Sequence, residues 1–310
     1  TGSGLSMVDW KLIQGSIPPI NESQWQEAFD KYKAFPQYKL VNKDMSLENF
    51  KKIFFWEYIH RVWGRLIGIV FIIPWLIFIV RKQLSTQAIK HTSVLLLLGG
   101  LQGFIGWYMV KSGLVNIPSV SHFRLALHLS TALLLLCYTF WLYQISAKST
   151  WQINNEKIDR FSKALFFILC IQIIYGAFMS GLKAGFVAPT FPLINDSIIP
   201  KIMFNQEPLY LNFINNKITI HFIHRTLGFL ILAMGIYLGI KLIKEKTKNT
   251  SNLGKLIIMI VCTQVLLGIA TVLSFKNGVP IILATLHQGI AVILLLTILY
   301  VIIKCKKTTY

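Results

Sequence analysis

His60-Arg61-Val62-Trp63-Gly64 and His224-Arg225-Thr226-Leu227-Gly228 are two copies of one phrase, each near the start of a long apolar run. Two runs further on, each copy is followed by a second matched pair, Arg124-Leu125-Ala126-Leu127-His128 and Leu283-Ala284-Thr285-Leu286-His287. The histidines of the second half stand 164 and 159 residues after those of the first. Between them, Gly103-Phe104-Ile105-Gly106 aligns with Leu267-Gly268-Ile269-Ala270. The chain is therefore an internal repeat. Both copies enter the membrane in the same direction, which relates them by an axis along the membrane normal.

Working outward, apolar runs of about 20 residues, long enough to span a bilayer, fall at 53–80, 92–110, 124–144, 163–183, 217–240, 256–275 and 280–303. With 54% hydrophobic and only 14% charged residues, the chain lacks the charged surface a soluble domain of its length requires. The expected fold is all-α: a polytopic transmembrane helix bundle of two pseudo-symmetric four-helix halves. Seven helices are visible in the sequence. The short turn from Lys276 to Pro280 makes the last two runs a tight antiparallel pair.

The net charge of +19 might point to nucleic acid, but the lysines sit in short loops between apolar runs, where they set membrane orientation. No basic stripe lies on a folded soluble unit, so nucleic acid is excluded as a partner. Lys and Arg crowd the loops at 81–90, 145–163 and 241–255 and the tail at 304–310, which predicts a cytoplasmic location for all four. The segments 111–123, 184–216 and 276–280 are poor in both and face outward, and residues 1–52 then lie outside as well. An outside segment with no signal to export it calls for a first helix preceding Thr1, and the same helix completes the four-helix count of the first half. The expected organisation is an extracytoplasmic segment (1–52), an N-terminal half (53–144), a cytoplasmic linker (145–162), a C-terminal half (163–303, with the outer loop 184–216) and a cytoplasmic tail (304–310). Cys137, Cys170, Cys262 and Cys305 lie in apolar runs or the basic tail, which predicts no structural disulfide.

Four of the seven histidines, His60, His128, His224 and His287, lie a few residues inside the outer end of a helix, two per half. Ionisable groups at membrane depth are costly and usually functional. One imidazole on each of two facing helices is what a heme iron held inside a bundle needs. The plainer alternative is that each histidine is a buried hydrogen-bonding group between helices. Zinc fits less well, because no Cys or carboxylate cluster completes a tetrahedral site.

Of twelve acidic residues, Glu57 alone borders a transmembrane run. It shares a helix face with His60, three residues on. It can form an intrahelical pair with Arg61, or it can stand beside a heme edge to take protons or stabilise positive charge. The second half has His221 at this position, so the two sites are chemically unequal. Arg61, Arg124 and Arg225, half of the six arginines, each lie within four residues of a paired histidine. They suit the propionates of heme, or they are interfacial orientation residues. Gly99-x-x-x-Gly103 reads as close helix packing, and Trp56, Trp63 and Trp107 as an interfacial belt. His91 and His122 read as boundary positions. The aromatics of 1–52 (Trp25, Phe29, Tyr32, Phe35, Tyr38) suggest an amphipathic cap.

Glu57-Tyr58-Ile59-His60-Arg61 resembles the E-x-x-H-R motif of heme A synthases. So do Thr1-Gly2-Ser3-Gly4-Leu5-Ser6, Gly99-Gly100-Leu101-Gln102-Gly103 and Leu286-His287-Gln288, and the resemblance covers the whole chain. It is closest in character to the cysteine-poor branch of alphaproteobacteria and mitochondria. It implies oxidation of the C8 methyl of heme O to a formyl group by successive hydroxylations, giving heme A for cytochrome oxidase. On this likeness Glu57, His60 and His128 form the catalytic site for the substrate heme O, and His224 and His287 hold heme b. The expected location is a bacterial inner membrane, with the heme sites near the extracytoplasmic side. Candidate partners beyond membrane lipid are heme O synthase, an electron acceptor and further copies of the chain. The alternatives are a bis-histidine membrane cytochrome b serving electron transfer only, which needs no lone acid, and a transporter, which needs a polar path these helices lack.

Overall fold

Polar residues at the feet of the apolar runs decide where the helices begin. The computed structural model describes residues 5–8, 17–112, 118–147 and 151–305. Their regular structure is helical, with one isolated bridge between Ile194 and Ser197. In chain order the helices are α1 (Glu22–Lys33), α2 (Pro36–Leu40), α3 (Leu47–Val80), α4 (Thr86–Ser112), α5 (His122–Ser146), α6 (Glu156–Gly181), α7 (Leu211–Ile214), α8 (Lys217–Lys244), α9 (Lys248–Ser274) and α10 (Ile281–Cys305). Seven of them are long and apolar enough to cross a membrane, so the chain is a multi-pass helical membrane protein.

Several helices begin well before their apolar runs. α3 starts at Leu47 rather than 53, α6 at Glu156 rather than 163, and α9 at Lys248 rather than 256. The cause is capping. Ser46 accepts from Asn49 N, Asn155 from Lys157 N and Ile158 N, and Thr247 from Thr250 N, so each satisfies amides that the first turn leaves free. Hydropathy cannot register these solvated first turns. α3 ends in a Schellman motif, in which Lys82 N donates to Ile79 O and Gln83 N to Phe78 O, with Lys82 left-handed at φ 53°.

The chain divides into two compact units, residues 1–135 and 136–310. In the first, the segment read as an amphipathic cap is instead a small aromatic core. Met7, Phe29, Tyr32, Phe50 and Phe54 are buried together. Phe50 lies 5.0 Å from Phe29 and 5.2 Å from Tyr32 between ring centres. The buried Tyr32 hydroxyl is satisfied twice, donating to Gln37 Oε1 (3.0 Å) and accepting from Asn42 Nδ2 (2.7 Å). α1 packs on the first turns of α3 through these aromatics, which take one another out of water. The α3–α4 hairpin is pinned by Trp75 Nε1 donating to Thr92 Oγ1 (2.9 Å).

In the second unit α6, α8, α9 and α10 pack together, and α8 and α9 approach most closely. A Cβ at Gly239 would lie 2.7 Å from the Gly254 carbonyl oxygen, and one at Gly254 would lie 2.4 Å from that of Gly239. With Gly235 against Val261, these glycines bring two backbones into contact, the way small residues drive helix association in lipid. At Gly99-x-x-x-Gly103, read as a close-packing face, a Cβ at either position would meet nothing within 4 Å among the described residues. A small-residue spacing marks a smooth helix face, and it does not say whether a neighbour lies on that face. Asn216 starts α8, accepting from Ile218 N and Thr219 N while its Nδ2 donates to Ile202 O, which holds the outer loop to the helix. At the other end, Ile153 N donates to Lys304 O (2.8 Å) and Asn155 Nδ2 to Glu245 Oε1 (2.7 Å).

Gly239→Ala is expected to cost about 1–3 kcal/mol through overpacking, lowering the thermal midpoint of the detergent-solubilised protein. Gly99→Ala should leave the midpoint unchanged or raise it, because alanine gains up to about 1 kcal/mol in a helix.

Candidate functional site

α3, α5, α8 and α10 each carry one of the four histidines: His128, His224 and His287 lie six or seven residues into their helices, and His60, because α3 begins early at Leu47, lies thirteen residues in. In the first unit the rings of His60 and His128 lie 6.4 Å apart between centres, with their planes at 77°. In the second, His224 and His287 lie 6.4 Å apart at 74°. The repeat is thus kept in side-chain geometry as well as in sequence. Gly106 faces His128 as Gly268 faces His287. The repeat offset on these helices is therefore 162 residues, which corrects the alignment of 103–106 with 267–270 by two positions.

A metal–imidazole bond is ~2 Å long, and the ring centre lies ~1 Å beyond the bound nitrogen. Two imidazoles on opposite sides of one metal thus place their centres about 6 Å apart, as both pairs do. Among the described residues no group of three or more His, Cys, Asp or Glu could hold a bare metal ion. Two ligands fall short of a structural zinc site, but they complete a heme iron, whose porphyrin supplies the other four bonds. His287 Nδ1 donates to the backbone carbonyl of Gln264 (3.1 Å), which leaves Nε2 for a metal. His224 Nδ1 is buried with no partner among the described residues. The residues present fit heme at both pairs.

Glu57 is 6% exposed and fully engaged. Its Oε2 accepts from Ser6 N (2.8 Å), Ser6 Oγ (2.6 Å) and Met7 N (2.9 Å). Its Oε1 accepts from Arg61 Nη2 (2.6 Å), which also donates to Met7 O (2.9 Å). The intrahelical pair with Arg61 is present, and with it a tie to the segment around Ser6, fifty residues away in sequence. In the second unit the equivalent His221 is buried and accepts from Arg225 Nε (3.0 Å). Arg225 turns its remaining donors to Leu193 O (3.2 Å), Ala188 O (3.1 Å) and Thr190 O (2.5 Å). In the first unit Glu57 and Arg61 both hold the segment at Ser6 and Met7, and in the second Arg225 alone takes the loop carbonyls while His221 braces Arg225. Arg124 donates to Tyr108 O (2.8 Å), its guanidinium 3.7 Å from the centre of the Tyr108 ring. His91 lies within α4, half-buried, and His122 opens α5; neither joins a pair.

Sequence reasoning did not assign Ser6, Met7 and three glutamines. Gln102 Nε2 donates to His128 O (3.1 Å), and Gln172 Nε2 donates to His224 O (2.9 Å). Gln264 Nε2 stands 3.4 Å from His287 Nε2. The signal was present: Gln-x-x-x-Gly occurs three times in the chain, at 102–106, 172–176 and 264–268.

Fold and site together define a multi-pass membrane protein with paired intramembrane histidines suited to heme. The chain belongs to the family described as cytochrome oxidase assembly protein, whose model matches residues 1–299. It is 39% identical over 320 residues to the heme A synthase of Flavobacterium psychrophilum, covering 99% of this chain and 91% of that protein. It is 42% identical to that of Wolbachia pipientis subsp. Culex pipiens (94% and 86%), and 38% identical to that of Brucella anthropi (95% and 82%). No solved structure is significantly similar to it.

His224→Ala or His287→Ala should each remove one axial bond. Heme per protein, measured as the pyridine hemochrome, should fall, and the remaining ferric heme should turn from low spin to high spin. Full low-spin heme in both variants would refute the second pairing.

Proposed function

We propose that the chain is a heme A synthase, an enzyme that oxidises the C8 methyl of heme O to a formyl group by two successive hydroxylations, the second giving a geminal diol that loses water. With water as the source of oxygen, R–CH3 + H2O gives R–CHO + 4 H⁺ + 4 e⁻, so an electron acceptor takes up four electrons and four protons are released. His60 and His128 hold the substrate, heme O. His224 and His287 hold heme b, which when bound supplies a one-electron redox centre. The protein works in a bacterial inner membrane, a reading supported by its seven apolar helices, with the histidine pairs toward the extracytoplasmic side, a reading supported by the distribution of Lys and Arg in the loops.

One observation carries the assignment of the catalytic pair. Two histidine pairs share one geometry, but only the first has a carboxylate one turn away on the same helix. Both Glu57 oxygens face donors only, the arrangement of a fixed anion held by Ser6, Met7 and Arg61. Losing electrons from a methyl group on the porphyrin edge builds positive charge there. A preorganised anion in a water-poor site stabilises developing charge without reorganising. The ties to Ser6 and Met7 hold the carboxylate in place and close the chain over it, which keeps bulk water out. Arg61 limits the cost of burying that charge.

Glu57→Gln keeps the shape and removes the charge. It should lower heme A formation by about 10²–10³-fold, with heme O or its hydroxylated form accumulating, while heme b at the second pair stays intact. Glu57→Asp should keep partial activity. Chromatography of hemes extracted from cells expressing each variant decides the matter. Normal heme A in the Gln variant would remove Glu57 from the mechanism.

A further inference from the structure

The three Gln-x-x-x-Gly segments lie on α4, α6 and α9, each beside a histidine-bearing helix: α5, α8 and α10 respectively. Four residues apart on a helix, the Gln and Gly share one face. The glutamine reaches the histidine's own backbone or ring, and the glycine lies against the ring. An added Cβ would come within 3.0 Å of Cε1 of His128 at Gly106, 3.3 Å of Cε1 of His224 at Gly176 and 3.0 Å of Cε1 of His287 at Gly268. Contacts this close require the ring to shift by a few tenths of an ångström. Three different helices in two units repeat the same device, and each occurrence in the sequence faces a paired histidine.

A second observation points the same way. Oε1 of Gln102, of Gln172 and of Gln264 is buried with no hydrogen-bond partner among the described residues. Buried polar groups are normally paired, and the open oxygens of Gln102 and Gln172 lie beside histidines whose Nδ1 has no other acceptor among the described residues, whereas His287 already gives its Nδ1–H to the Gln264 main-chain carbonyl. A histidine bound to iron through one nitrogen carries its proton on the other, and that N–H seeks an acceptor. Gln102 Nε2 already lies 3.2 Å from His128 Nδ1. A half-turn of the carboxamide, which exchanges two nearly isosteric atoms, would present its oxygen there instead.

We propose that Gln102, Gln172 and Gln264, each with its glycine one turn on, are positioning residues for the heme ligands. At Gln172 the amide nitrogen fixes the histidine helix and the oxygen is left for the ring; at Gln102 one orientation of the carboxamide holds the helix and the other accepts from the ring; at Gln264 the main-chain carbonyl takes the ring; and each glycine leaves room for the imidazole. The proposal rests on the bis-histidine reading of the two pairs. Hydrogen bonding to the outer nitrogen makes an axial imidazole a stronger donor and tunes the potential of the iron.

The test uses the purified full chain in detergent and the heme it retains. Gln172→Leu removes both hydrogen-bonding atoms. It should weaken heme retention by about 10–100-fold, change the low-spin electron paramagnetic resonance g-values and raise the reduction potential. Gln172→Glu keeps the length and the acceptor, so it should restore heme retention and lower the potential below that of the wild type. Gly268→Ala, a favourable change for helix formation, should alter the g-values without loss of protein. Unchanged spectra, potential and heme retention in both Gln172→Leu and Gly268→Ala would overturn the positioning role and leave the histidine pairs standing. A wild-type protein without low-spin heme would instead overturn the pairing on which the role depends.

Discussion

In hydrocarbon there is no water to finish an unsatisfied bond, and every polar group in this bundle answers to that constraint. It forces the spanning segments to be helical, and it makes each imidazole at depth an obligation that a neighbouring helix must meet. The neighbours meet it in part, since Nδ1 of His224 and Oε1 of Gln102, Gln172 and Gln264 have no partner among the described residues. A glutamine bonds the carbonyl of His128 or of His224, and the main chain of Gln264 takes the ring of His287. The same constraint shapes the outer ends of the bundle. Glu57 enters with Arg61 and two backbone amides already committed to it, and His221 enters with Arg225.

These two clamps show how a duplicated scaffold becomes two different sites. The arginine after the paired histidine bonds a distant segment of chain in both units, and the residue three before that histidine bonds the arginine. In the first, the partner is an acid bound to Ser6 and Met7. In the second, it is an imidazole, and the arginine itself takes three carbonyls of the loop between Ala188 and Leu193. One substitution, carboxylate for imidazole, leaves the mechanical role in place and changes the charge near the ring. On the proposed function, that difference suits one copy to oxidative chemistry and the other to holding a cofactor.

Much of this could be read in the sequence because membrane insertion writes itself in composition. The seven spans, and the histidines within them, follow from hydropathy and from the rarity of ionisable groups at depth. What hydropathy misses is direction. It cannot see that Ser46 or Asn155 starts a helix two turns before the apolar run, because capping is a local hydrogen bond between polar residues. Nor does it reveal which glycines face a neighbour: Gly99 and Gly103 lie open, while Gly239 and Gly254 touch. The Ser6–Glu57 contact was beyond reach for another reason. It joins residues about fifty apart, and nothing in either one's neighbourhood names the other. The glutamines were legible in principle, as a spacing that recurs only beside histidines, but the repeat had to be set in its true register first.

The contact between Gly239 and Gly254 bears on how the protein is made. The two glycines are fifteen residues apart, and only Glu245, Lys246 and Thr247 join their helices. Contacts this local close early and quickly. As the chain leaves the ribosome, α8 and α9 can therefore enter the bilayer as one preassembled hairpin, with His224 and Gln264 already carried on it. α10, synthesised afterwards, docks onto that hairpin and delivers His287. Assembly of the second pair is thus a matter of adding one helix to a finished template, so a bound cofactor there reports that insertion has run through α10.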